Sequence, residues 1–314
     1  PRRSASHSSV CAMRSRGPTL RRVDSDLSPI LNRRLTPLGH TRTMIPVPPV
    51  LGAALQLADL PARADWLKRD ARDLEIQNSC QPAFLDGDWR AAAREARTVL
   101  DGHTGRVGVH APYDGMPWAS PDVRLVAAMR DRLLESLEFT AAIGGTHLVL
   151  HSPFLYFGSA QTRFRGAELA DGIARTVANL APIATAAADQ GCLLVWENIF
   201  DLRTDPLDAL VAAFGSPWVR RSLDTGHAHL MTARGGPPVD TWVHAAGASL
   251  AHVHLQDTDL DSDRHWAIGD GGIAWRAVFA ALAALPEQPR LILEVSPERQ
   301  DRSLAWLVER GLAR

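Results

Sequence analysis

Eight short β-rich runs, each separated from the next by a longer stretch with helical spacing, constrain this chain more than any other feature. They lie at 50–54, 74–77, 107–110, 148–151, 193–197, 221–224, 251–255 and 291–294. Strands connected through helices pair in parallel, so the alternation predicts an α/β fold. In "DVRLVAAMRDRLLESLEFTAAIGG" the residues Val123, Val126, Ala127, Met129, Leu133, Leu134 and Leu137 recur near i, i+3, i+4, and Gly144-Gly145 ends the pattern. A second helix, "GAELADGIARTVANLAPIATAAADQGC", runs to Gly191. Eight strand–helix units in the 271 residues from Met44 onward match a (β/α)8 TIM barrel. A doubly wound open sheet is the alternative, but "LGAALQLADLP" after the first strand lacks its GxGxxG phosphate turn.

Residues 1–43 are rich in Arg, Ser and Pro, without sustained apolar periodicity, and are expected to be a disordered extension before a single barrel domain at 44–314. Met44 is a candidate start. "MIPVPPVLGAALQLADLPARA" has the look of a signal-peptide hydrophobic region, but three prolines and Gln56 favour a first strand and its loop. No apolar run reaches the length of a membrane span, and the three widely spaced cysteines form no CxxC pair, so a cytoplasmic location without a disulfide framework is expected.

The strands end in unusual residues. His110, His151, Glu197, Asp224 (with His227 three positions on), His254 and Glu294 close strands three to eight. In a barrel all C-terminal strand ends share one rim, so these side chains converge there. Gly226 is expected to permit a turn that brings His227 back to the centre. The loop "DSDRHWAIGDGGIAW" adds Asp263 and His265 at the same rim. Mixed imidazole and carboxylate donors suit Mn, Zn, Fe or Co and leave positions open for substrate oxygens.

"WENIF", "LDTGHAHL", "HVHLQD", "DRHWAIGDGGIAW" and "LILEVSP" resemble the xylose isomerase-like barrels, a superfamily of sugar isomerases, ketose 3-epimerases, inosose dehydratases and apurinic endonucleases. The resemblance implies one divalent metal, Mn, Zn, Co or Mg, held by Glu197, Asp224, His254 and Glu294, with His227 on the substrate. It also implies a metal-dependent sugar or sugar phosphate isomerase or epimerase working by proton transfer through a metal-stabilised enediolate. Glu197 and Glu294 would be acid and base, His227 and His265 would bind substrate oxygens, and Trp118, Trp196 or Trp266 would wall the sugar face. The expected partner is a small polyhydroxy carbonyl compound, and a homo-oligomer is possible.

The endonuclease branch is the competing expectation. Its multinuclear zinc site matches His110, His151, Glu197, Asp224, His227, His254, Asp263, His265 and Glu294, and Tyr113 matches a tyrosine of its first motif. Around those ligands the motifs depart: Ser222 and Gly226 stand where cysteines are usual, and "HLQDTD" lacks the Asn-Asp-Ser-Lys pattern. Charge also argues against nucleic acid. Residues 1–43 hold nine Arg and two acids; the remaining 25 basic and 33 acidic residues give a formal −8, with Lys68 the sole lysine. Duplex binding relies on many Lys and Arg contacts to phosphate. Arg163-Phe164-Arg165 and Arg220-Arg221 are the small basic clusters available.

Overall fold

The structure, a computed structural model, describes residues 47–154 and 166–314; the expectations for residues 1–43, for Met44 and for Arg163–Arg165 lie outside them. Eight strands, β1 (Gly52–Leu55), β2 (Leu74–Ile76), β3 (Val107–His110), β4 (His147–His151), β5 (Leu193–Glu197), β6 (Val219–Asp224), β7 (Leu250–Leu255) and β8 (Arg290–Leu293), pair in parallel in chain order. Gly52 and Ala53 of β1 pair with Ile292 and Leu293 of β8, so the sheet closes on itself. The fold is a (β/α)8 TIM barrel, and the open sheet is excluded.

Helices follow each strand. α1 (Leu60–Arg69) follows β1; α2 (Pro82–Leu85) and α3 (Trp89–Val99) follow β2; α4 (Val123–Ala142) follows β3; α5 (Gly166–Asp189) follows β4. Then come α6 (Asp205–Phe214), α7 (Thr225–Thr232) with α8 (Val239–Ala246), α9 (Trp275–Ala283) and α10 (Pro297–Glu309). In α4 the Asp122 carboxylate accepts the Arg124 N–H at 2.9 Å, and Val126, Met129, Leu133 and Leu137 form the buried face. Val123 and Leu134, counted in the apolar stripe from sequence, face solvent instead. Ile143 caps the helix, and Gly144, at φ +76°, turns the chain away. Among the described residues no helix is long and apolar enough to cross a membrane.

Successive strand residues point to opposite sides of the sheet. Side chains from non-neighbouring strands therefore meet only inside the barrel. Glu75 on β2 lies 3.4 Å from His147 Nε2 on β4 and 2.9 Å from His252 Nε2 on β7. Gly108 on β3 makes room for them, since a Cβ there would stand 1.9 Å from the His147 ring. The middle of this barrel is polar.

Candidate metal centre

Glu197, Asp224 and His254 come from the C-terminal ends of β5, β6 and β7, and Glu294 follows β8 directly, where its N–H still donates to Leu255 O. One ligand atom of each lies within 4.8 Å of the others. His254 Nδ1 is 3.3 Å from both Glu197 Oε1 and Glu294 Oε2. Glu197 Oε2, Asp224 Oδ2 and His254 Nδ1 are buried without a hydrogen-bond partner among the described residues. Buried polar atoms are rarely left unpaired, and unpaired acceptors on three of the four clustered residues fit a cation. On its other side, His254 Nε2 lies 2.8 Å from Glu75 Oε1. Burial pushes Glu75 up, but the His254, His147 and His252 imidazoles outweigh it and hold the carboxylate well below the usual range.

Two further groups flank this cradle. His110 Nε2 stands 3.1 Å from His151 Nε2, and the two lie 3.5 and 4.0 Å from Glu197 Oε2. On the other side, Asp263 Oδ2 lies 3.2 Å from His227 Nε2 and 3.1 Å from His265 Nε2. The far nitrogens are tied to backbone carbonyls: Nδ1 of His110 to Ala111 O, of His227 to Asn198 O, and of His265 to Glu294 O. Neutral rings donating there would turn Nε2 lone pairs toward one another or toward a carboxylate. That is repulsive unless a proton or a cation lies between. Burial lowers His227 and His265, but the facing carboxylates win: Asp224, Asp263 and Glu197 hold His227 well above its ordinary value, and Asp263, Glu294 and Asp224 lift His265 to about 9.

The rim encloses a cavity of about 710 Å3. Glu197, Glu294, His110, His151, His227, Asp263 and His265 line it, with Gln56, Gln77, Gln81, Ser152, Tyr113, Trp118 and Phe200. The family model described as xylose isomerase-like TIM barrel matches residues 74–310. The chain belongs to that family. No curated protein matches this xylose isomerase-like chain in sequence. Among solved structures, the TTHB071 protein from Thermus thermophilus, soaked with ZnCl2, superposes with TM-score 0.66 at 24% identity, covering 84% of this chain and 99% of that one. A D-tagatose 3-epimerase-like protein gives 0.65 at 17% identity, covering 83% and 97%. The 3-keto-D-glucoside 4-epimerase YcjR of E. coli gives 0.62 at 17%, covering 83% and 99%. At these identities the likeness is one of fold.

The barrel brings all nine sequence candidates to one rim, in three groups that meet at Glu197 and Glu294. Other expectations need correction. Gly226 does not turn the chain. His227 sits in the first turn of α7, whose N-cap is Asp224, with Oδ1 accepting the His227 N–H at 2.6 Å. Gly226 instead leaves room for Gln256, whose side chain a Cβ would meet at 2.3 Å. Of the three tryptophans, only Trp118 lines the cavity; Trp196 is fully buried behind it and Trp266 lies outside the lining. Arg221 is buried against Asp208 and Arg220 donates to Ala248 O at 2.6 Å, so the pair forms no basic face.

Several organising residues carried no signal of ligand type. Gln256 Nε2 donates to Asp263 Oδ1 at 2.7 Å and to Asp224 Oδ1 at 3.3 Å, while its Oε1 accepts the His265 N–H. Gln77 donates to Glu294 Oε1 at 2.5 Å. Asp257 holds the rim loop, accepting from Gly269 N, Ile273 N and Trp275 Nε1. That loop carries His265 at φ +47°, a strained conformation that such anchoring can sustain.

Proposed function

We propose that this chain is a divalent-metal-dependent isomerase or epimerase of a small polyhydroxy carbonyl compound. The carrying observation is that Glu197 and Glu294 both belong to the four-residue cradle and both face the cavity. Glu197, Asp224, His254 and Glu294 would hold a divalent ion, which when bound would supply electrophilic polarisation of a substrate carbonyl.

The chain's own residues would handle the proton. Glu294 has the more open carboxylate, 12% exposed against 1% for Glu197, and Gln77 fixes its Oε1. We assign Glu197, as the carboxylate, to remove the proton beside the carbonyl, and Glu294, open to the cavity and so able to take up a proton from water, to return one. Glu197 is kept ionised despite burial, which raises it, because His254, His110 and His227 together lower it well below the usual range. His227 and His265, whose ring nitrogens meet Asp263 and backbone carbonyls, border the substrate space, while Gln56, Gln81 and Ser152 offer uncharged polar contacts. The described lining residues include no Lys or Arg, which fits hydroxyl groups better than a phosphate.

A second reading, hydrolysis of a phosphodiester by a multinuclear zinc site, is favoured by one observation: the two flanking groups complete sites for further ions. Deuterium uptake separates the two. In D2O, proton transfer at carbon incorporates solvent deuterium into ketose or aldose product, and hydrolysis places none on carbon. We expect incorporation from a sugar panel, and about 10²- to 10⁴-fold slower turnover in Glu294→Gln and Glu197→Gln. Release of product from an abasic-site duplex, with no exchange on any sugar, would establish the hydrolase instead.

A further inference from the structure

Beneath the rim, a second tier of polar side chains crosses the barrel, and the proposed proton transfer uses none of it. Glu75, His147 and His252 come from β2, β4 and β7 and are fully buried. Glu75 divides its two oxygens between tiers. Its Oε1 accepts the His254 Nε2–H at 2.8 Å, reaching up to the cradle. Its Oε2 stays within the lower tier, 2.9 Å from His252 Nε2 and 3.4 Å from His147 Nε2. Ser222 Oγ lies 2.9 Å from His252 Nδ1; with the hydroxyl donating there, the His252 ring hydrogen sits on Nε2, facing Glu75. Burying an uncompensated carboxylate is strongly unfavourable, and apolar residues would fill the space without that penalty.

The geometry points to Glu75 as the positioning residue of the metal centre: it fixes His254 as the Nε2–H tautomer, so that the Nδ1 lone pair is presented to Glu197, Asp224 and Glu294. His252 and His147 face the other oxygen of Glu75, at 2.9 and 3.4 Å. With the hydrogen on Nδ1 instead, His254 would aim a donor at the cradle and bind no cation. The negative charge of Glu75 also strengthens His254 as a ligand. This inference rests on the metal-centre reading of the proposed function.

The test measures affinity for Co2+ and Zn2+ in the full chain by competition with a chromophoric chelator. Glu75→Gln keeps the shape and one acceptor but removes the charge; it is expected to bind about 10- to 100-fold more weakly and to shift the visible spectrum of bound Co2+. His252→Gln should lose affinity in the same direction, by less. A merely structural Glu75 would lower the melting temperature of the metal-free protein and leave the folded protein's affinity untouched, which would overturn the inference. Should Glu75→Gln fail to fold, the imidazole 15N spectrum of the metal-free wild type, followed upward in pH until the His254 ring is neutral, decides: hydrogen left on His254 Nε2 supports the inference and hydrogen left on Nδ1 refutes it. A wild type that binds neither ion sinks the proposed function and this inference together. Tight wild-type binding with an indifferent Glu75→Gln sinks this inference alone.

Discussion

Asp224 sets how the proposed metal centre responds to pH. Burial, opposed by His227 and reinforced by the carboxylates of Glu294, Glu197 and Asp263, pushes its pKa up to about 7. Ligation needs the carboxylate, so protons compete with metal below that value. His254, a ligand itself, is lowered by burial but held well above its ordinary value by Glu294, Glu75 and Glu197, and His265 beside the cradle is lifted to about 9, so both oppose metal in the same sense. Divalent-metal affinity is therefore expected to climb from about pH 6 upward, as read by chelator competition; a flat profile would contradict the ionic account of the cradle. The stability sign follows. A carboxyl whose folded pKa is raised stabilises the metal-free chain at low pH and loses that contribution as pH rises from its ordinary value toward about 7. The melting-temperature gain on adding metal should accordingly grow over the same interval. At this scale the sequence was legible wherever a ligand-type residue closed an apolar strand, as at His110, Glu197 and Asp224. Glu75 was not, because a charged residue between Leu74 and Ile76 reads as a solvent-facing strand position. In a closed barrel the inward face is sealed by the other strands, so its environment cannot be inferred from neighbours in sequence.

Strands and helices show the same division. The strand runs were legible because parallel strands buried on both faces are apolar nearly throughout. Their ends moved by one or two residues, as at β6, which begins at Val219 where the sequence suggested residue 221. Polar Arg220 and Arg221 hid that start: one bonds Ala248 O and the other is sequestered by Asp208. The length of α7 was hidden too, since Thr225-Gly226 reads as a turn unless Asp224 is known to cap the following helix. The tier beneath the rim leaves β3 no room for a side chain at Gly108. Gly108→Ala would drive a Cβ into the His147 ring, and overpacking of this kind typically destabilises by about 1–3 kcal/mol. Thermal denaturation should show a clear loss in that variant, with His147→Ala restoring part of it in the double mutant; additive losses would show that the two positions do not press on each other.

Over the whole molecule, the barrel gathers donors from the ends of six strands and the loop after β7 at one rim, which no shorter segment of the chain could do. The formal −8 of residues 44–314 gains local meaning there, because several of those acids crowd a buried rim that divalent cations would neutralise. The central claim is that Glu197, Asp224, His254 and Glu294 hold a metal ion. Elemental analysis of protein loaded with Mn2+, Co2+ or Zn2+ and then dialysed tests it most directly, with Asp224→Ala as the comparison and circular dichroism to verify its fold. The account predicts at least one tightly held ion per wild-type chain and its loss from the folded variant; a wild type that retains none, or an Asp224→Ala chain that retains as much, would contradict it.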